Sequence, residues 1–242
     1  MDSVQSKFIM IDGIDGSGKS TVTRAIRDWA HTCKLQTFDL TAWCQEHGTI
    51  PRYEEVAQFD VFFTFEPTKA WAGSAVRAMI TAGKDTYSGL EQAHAFSVDR
   101  LVLYRRLIIP ALQAGKKVIQ DRGVSTSLVY QPVMPAGPTI DEVLNLPGNK
   151  LALEHRPDDL IIMDTPANVC LKRLPSRTDG DAEQIFERIE LLKTFDERYK
   201  AEWFTKIFTD QGTLMHSLNT DCSMDESKQR AISLVSTILT KC

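Results

Sequence analysis

"KFIMIDGIDGSGKST", residues 7–21, decides the fold. Residues 8–11 are all apolar, as in a strand covered on both faces. Gly13-x-x-x-x-Gly18-Lys19-Ser20 follows, and "TVTRAIRDWAHTC" then sets Val22, Ile26 and Trp29 at helical spacing. Strand, glycine-rich turn and helix in that order make a phosphate-binding P-loop. Its residues (Gly13, Ile14, Asp15, Gly16, Ser17, Gly18, Lys19, Ser20 and Thr21) let backbone N–H groups curl around ATP phosphates at the positive end of a helix. Lys19 is expected to reach the β- and γ-phosphates and Ser20 to ligate Mg²⁺.

Apolar runs recur outward from this loop. "LQTFDL", "VFFTFE", "KVIQD", "DLIIMD" and "LMHSL" read as strands, and long amphipathic segments lie among them. The alternation predicts one α/β domain over residues 1–242, a parallel sheet flanked by helices in three layers. In such sheets ligands gather at the carboxyl ends of strands, where Asp12, Glu66, Asp121 and Asp164 fall. Asp121 is the expected second metal ligand, and Arg122 beside it adds a fixed cation.

Bulk properties narrow the partners. A net charge of -4 gives no global attraction for nucleic acid. No run approaches the ~18 apolar residues that span a bilayer, and "MDSVQSK" is too polar for a secretory leader. The five cysteines have no zinc-ligand spacing, which suits reduced thiols in the cytoplasm.

Further motifs complete the pattern: "FTFEPT" with Glu66-Pro67, "AFSVDR" with Phe96 and Arg100 on one helix face, "DRGVSTSLVYQ" with Thr126, Ser127, Tyr130 and Gln131, and "DTPANVCLKRLPSR". Taken in order with the P-loop, they resemble the thymidylate kinase family. The resemblance implies a P-loop kinase fold with a five-stranded sheet, a mobile lid near residues 175–182, and a homodimer. It also implies transfer of the ATP γ-phosphoryl to dTMP. By the same resemblance Asp15 contacts the sugar 3′-hydroxyl, Phe96 stacks on the base and Arg100 bonds its edge. Arg122 and Arg77 serve the acceptor phosphate, and the lid arginines Arg173 and Arg177 serve the transferring group. A guanidinium only donates, so Arg100 suits thymine O4 and not the amino group of cytosine.

The chain also departs from the family. Phe65 stands where members usually carry a phosphate-binding arginine, and Thr68-Lys69 replaces a glycine pair. Residues 41–58 read as an insertion. Lys69 and Arg77 are the nearby candidates for the missing cation. The departure leaves two alternatives open: a deoxynucleoside kinase with Glu66 as general base for a 5′-hydroxyl, and a P-loop binding protein without phosphoryl transfer.

Overall fold

The computed structural model describes residues 6–81, 87–174 and 182–240. The chain opens with β1 (Lys7–Asp12), α1 (Lys19–Thr32), β2 (Thr37–Asp39), α2 (Leu40–His47) and β3 (Val61–Phe65). Helices α3 (Trp71–Thr81), α4 (Gly89–Leu103) and α5 (Ile109–Gln113) follow, the last two joined by a π-helical turn at Tyr104–Ile108. After β4 (Lys117–Asp121) come α6 (Val124–Tyr130), α7 (Ile140–Asn145) and α8 (Pro147–Glu154). The remainder is β5 (Asp159–Asp164), α9 (Ala167–Arg173), α10 (Ala182–Lys200), α11 (Glu202–Thr209), β6 (Leu214–Asn219) and α12 (Met224–Thr240).

All strand pairs are parallel, in the order β2-β3-β4-β1-β5-β6. The sheet therefore has six strands, not five. The extra strand is β6, which pairs along the whole of β5 from Asp159↔Leu214 to Asp164↔Asn219. It is an edge strand, and only Leu218 of its side chains is buried, so its pattern is faint.

Both faces of the inner strands are covered. Phe8 and Met10 enter one apolar cluster with Phe62, Val118 and Leu160; Ile9 and Ile11 enter the other with Phe63, Ile119 and Ile161. This period-two split explains why β1 is apolar throughout. Residues 41–58 form most of α2 and a 3₁₀ turn at Tyr53–Glu55, and their Cys44, Ile50 and Val56 join the first cluster. Asp39 starts α2 by accepting from the backbone N–H groups of Thr41 and Ala42.

The register brings three strand ends together. Ile11 and Phe65 both lie opposite Asp121, so Asp12, Glu66 and Asp121 converge where the chain order of the sheet reverses. Ligand sites of open α/β sheets form at that point.

Candidate active site

Between β1 and α1 the loop turns through left-handed glycines, with φ of +83° at Gly16 and +94° at Gly18. A Cβ on Gly16 would stand 2.3 Å from the carbonyl oxygen of Cys170, so α9 packs directly on the loop. Thr220 Oγ1 donates to the Ser17 carbonyl at 2.9 Å. Gly16→Ala is accordingly expected to cost about 1–3 kcal/mol of stability and to lower ATP affinity. Thermal melting and nucleotide titration check this; an unchanged Tm would contradict the packing.

Lys19 is buried, and its Nζ donates to the carbonyls of Gly13 and Ile14, both at 2.8 Å. Burial, with Arg122 close by, pulls its pKa down to about 8. Ser20 Oγ donates to Asp121 Oδ2 at 3.3 Å. The other Asp121 oxygen, Oδ1, is buried without a hydrogen-bond partner among the described residues, and burial raises this carboxyl's pKa. A hydroxyl and a carboxylate with an orphaned oxygen are hard donors of the kind Mg²⁺ takes alongside phosphate oxygens and water.

Asp12, at the end of β1, is buried and gathers the site. It accepts from Gly13 N (2.8 Å), Tyr199 Oη (2.8 Å) and Thr126 Oγ1 (2.7 Å), and also from Ser125 Oγ. One carboxylate thus ties β1, α6 and α10 to the loop. Arg122 donates to Asp15, lies over the Tyr130 ring at 5.7 Å, and has a left-handed φ of +65°. Burial opposes its charge, but Tyr130, Asp15 and Asp12 outweigh that effect and raise its pKa.

Three cavities meet at Arg122. The first, about 870 Å³, is lined by the P-loop, Arg173 and the β6–α12 loop. Within it Arg173 donates to the Thr220 carbonyl at 2.9 Å, so it braces that loop. The second, about 460 Å³, holds Ser20, Asp121, Glu66, Pro67 and several cations. The third, about 370 Å³, has mainly apolar walls and includes Asp15, Phe96, Arg100, Ser127, Tyr130 and Gln131.

Arg100 is 1% exposed. Its Nε donates to Glu66 Oε2 at 2.9 Å, Nη2 to Ser127 Oγ at 2.9 Å, and Nη1 to Asn149 Oδ1. Glu66 receives a further bond on Oε1 from Gln120 Nε2 at 3.0 Å. Burial pushes the Glu66 pKa up to about 7 even though Arg100 opposes it. Tyr130 stacks on Phe195 at 3.8 Å, and its hydroxyl accepts from Asp15 N at 3.1 Å. Arg77 donates to the Thr68 carbonyl at 3.1 Å and to that of Pro67, and lies 5.5 Å over the Phe65 ring.

The structure thus brings together Lys19, Ser20, Asp121, Arg122, Asp15, Glu66, Phe96, Arg100, Ser127, Tyr130 and Gln131. Arg177 and residues 175–181 of the expected lid lie outside the described residues. Sequence reasoning did not find the supports: Tyr199, Gln120, Asn149, Thr220, and Asp99, which accepts from Thr68 N at 2.7 Å. Asp12 drew notice only as a strand-end acid.

Known proteins bear on this arrangement. The family model described as thymidylate kinase matches residues 48–217, a stretch that begins after the P-loop. A probable thymidylate kinase of Thermococcus onnurineus is 32% identical over 200 residues, spanning 79% of this chain and 82% of its own. One of Pyrococcus abyssi is 27% identical over 236 residues, spanning 94% and 95%. The solved structure of a thymidylate kinase from Ehrlichia chaffeensis shares the fold, with a TM-score of 0.58 at 19% identity over 96% of this chain and 99% of that one. The chain belongs to the thymidylate kinase family.

Proposed function

We propose that the protein transfers the γ-phosphoryl group of ATP to dTMP, giving dTDP and ADP, with Mg²⁺ held by Ser20 and Asp121. The observation that carries this reading is Arg122, the shared wall of all three cavities. ATP would fill the first cavity, with Lys19 at its β- and γ-phosphates. Thymine would enter the third, between Phe96 and the Arg100 edge, with the sugar 3′-hydroxyl at Asp15. Pro67 and Arg77 shape the ground between them, and Arg122 neutralises charge where donor and acceptor meet. When bound, Mg²⁺ supplies charge neutralisation across the donor phosphates. Roles for Arg173 and Arg177 at the transferring group belong to the same proposal.

Glu66 bears on the alternative. A carboxyl with a pKa near 7 at a cavity wall suits a general base for a nucleoside hydroxyl. Both of its oxygens, however, already accept from Arg100 and Gln120, which favours a bracing role. An acceptor panel separates the readings. kcat/KM is expected to be at least ~10²-fold higher for dTMP than for thymidine or dCMP. A preference for thymidine overturns the monophosphate reading, and no ADP release with any acceptor supports a binding protein.

We also propose a cytoplasmic homodimer. Among the described residues no helix is long and apolar enough to cross a membrane, and four cysteines are free. Helices α3 and α4 expose Trp71, Ile80, Leu90 and Val98, apolar side chains that a second copy can cover.

A further inference from the structure

The second cavity contains more positive charge than its own carboxylates balance. Ser20, Asp121, Glu66 and Pro67 line it together with the cations Arg24, Lys69, Arg77 and Arg122. Most of this charge is committed. Arg27, also on the wall, is paired with Asp39. Arg77 is bonded to two backbone carbonyls and covers Phe65; Arg122 is bonded to Asp15. Glu66 is matched by Arg100 from behind.

Arg24 and Lys69 differ from these. Neither has a side-chain hydrogen bond or ion pair among the described residues, and both line the cavity from elements that the fold holds in place. Arg24 sits on the second turn of α1, one turn beyond Ser20. Lys69 follows Thr68, whose backbone N–H and Oγ1 both bond the buried Asp99 carboxylate, at 2.7 and 2.6 Å. Two uncommitted cations facing one space beside Ser20 and Asp121 make a site for a compact dianion.

We infer that Arg24 and Lys69 clamp the phosphate monoester of the second substrate, and so take the place of the cation missing at Phe65. The inference rests on the monophosphate reading above, and it names the residues that make this chain select a phosphorylated acceptor. Phe65 is then no loss: its ring carries Arg77, which secures the Pro67 and Thr68 carbonyls and thereby the segment bearing Lys69. The selecting charge has moved from the strand end to α1 and the loop.

The test measures equilibrium binding of dTMP and of thymidine, without ATP, to the wild type, Lys69→Met, Arg24→Gln and the double variant, with the melting temperature of each. Each single variant is expected to bind dTMP at least ~10-fold more weakly and the double at least ~50-fold, while thymidine affinity stays within twofold. Normal dTMP affinity in folded variants overturns the clamp and leaves the monophosphate reading standing. Equal weakening of both ligands also overturns it, because the residues then act on the nucleoside pocket. A wild type that does not bind dTMP overturns the monophosphate reading itself. Should a variant melt early, Lys69→Arg, which keeps the charge, is expected to restore dTMP affinity; failure to restore it counts against the clamp.

Discussion

Lys19→Met is expected to lower kcat by ~10²–10³-fold, the loss typical of one preorganised donor at a developing charge. The melting temperature should stay unchanged or rise. Burial has already pulled the Lys19 pKa down to about 8, so the fold holds this charge against its own solvation. The cation's present partners are the Gly13 and Ile14 carbonyls, which methionine leaves to water or to the loop. A function kept at a cost in stability is the usual pattern at active sites. Steady-state kinetics with a thermal melt check both halves. Activity within threefold of wild type contradicts the P-loop assignment.

Removing the Arg122 guanidinium should have the second largest effect. Arg122→Ala is expected to reduce kcat/KM for dTMP by roughly 10–150-fold, the equivalent of the 1.5–3 kcal/mol carried by a hydrogen bond to a charged group. The backbone here supplies a further test. Arg122 has a φ of +65°, a region costly for any residue with a Cβ. Arg122→Gly should therefore lose the same activity yet be more stable than Arg122→Ala by about 1 kcal/mol, or roughly 2–4 °C in Tm. Equal melting of the two variants would mean that the turn imposes no strain. Equal kcat/KM for wild type and both variants would remove Arg122 from the reaction.

Much of the candidate site is legible in the sequence because its residues lie close together in the chain. Lys19 and Ser20 lie within one loop, and Asp121-Arg122 ends an apolar strand that pairs with β1. Phe96 and Arg100 share a cavity wall because a helix sets residues four apart on one face. What escaped the sequence is what packing creates. Glu66 and Arg100 are 34 positions apart, and their ion pair exists only because β3 ends against α4. Tyr199 reaches Asp12 across 187 positions, with no spacing rule to announce it. By sequence Arg77 is a candidate for the cation absent at Phe65, yet the fold uses it to hold the Pro67–Thr68 backbone. Arg24 lies inside an ordinary amphipathic helix, and only the cavity that it lines distinguishes it. The sixth strand reads as a strand in the sequence, as "LMHSL", while the family resemblance implies a sheet of five; the structure adds it at the edge, paired along β5.

The central claim is that the acceptor is a monophosphate. Its most direct test is product identity: the wild-type protein, ATP and Mg²⁺ are incubated in parallel with dTMP and with thymidine, and the nucleotides are separated by anion exchange. The account predicts dTDP and ADP in equal amounts from dTMP, with little dTMP formed from thymidine. Conversion of thymidine to dTMP, with dTMP itself left unreacted, would contradict it.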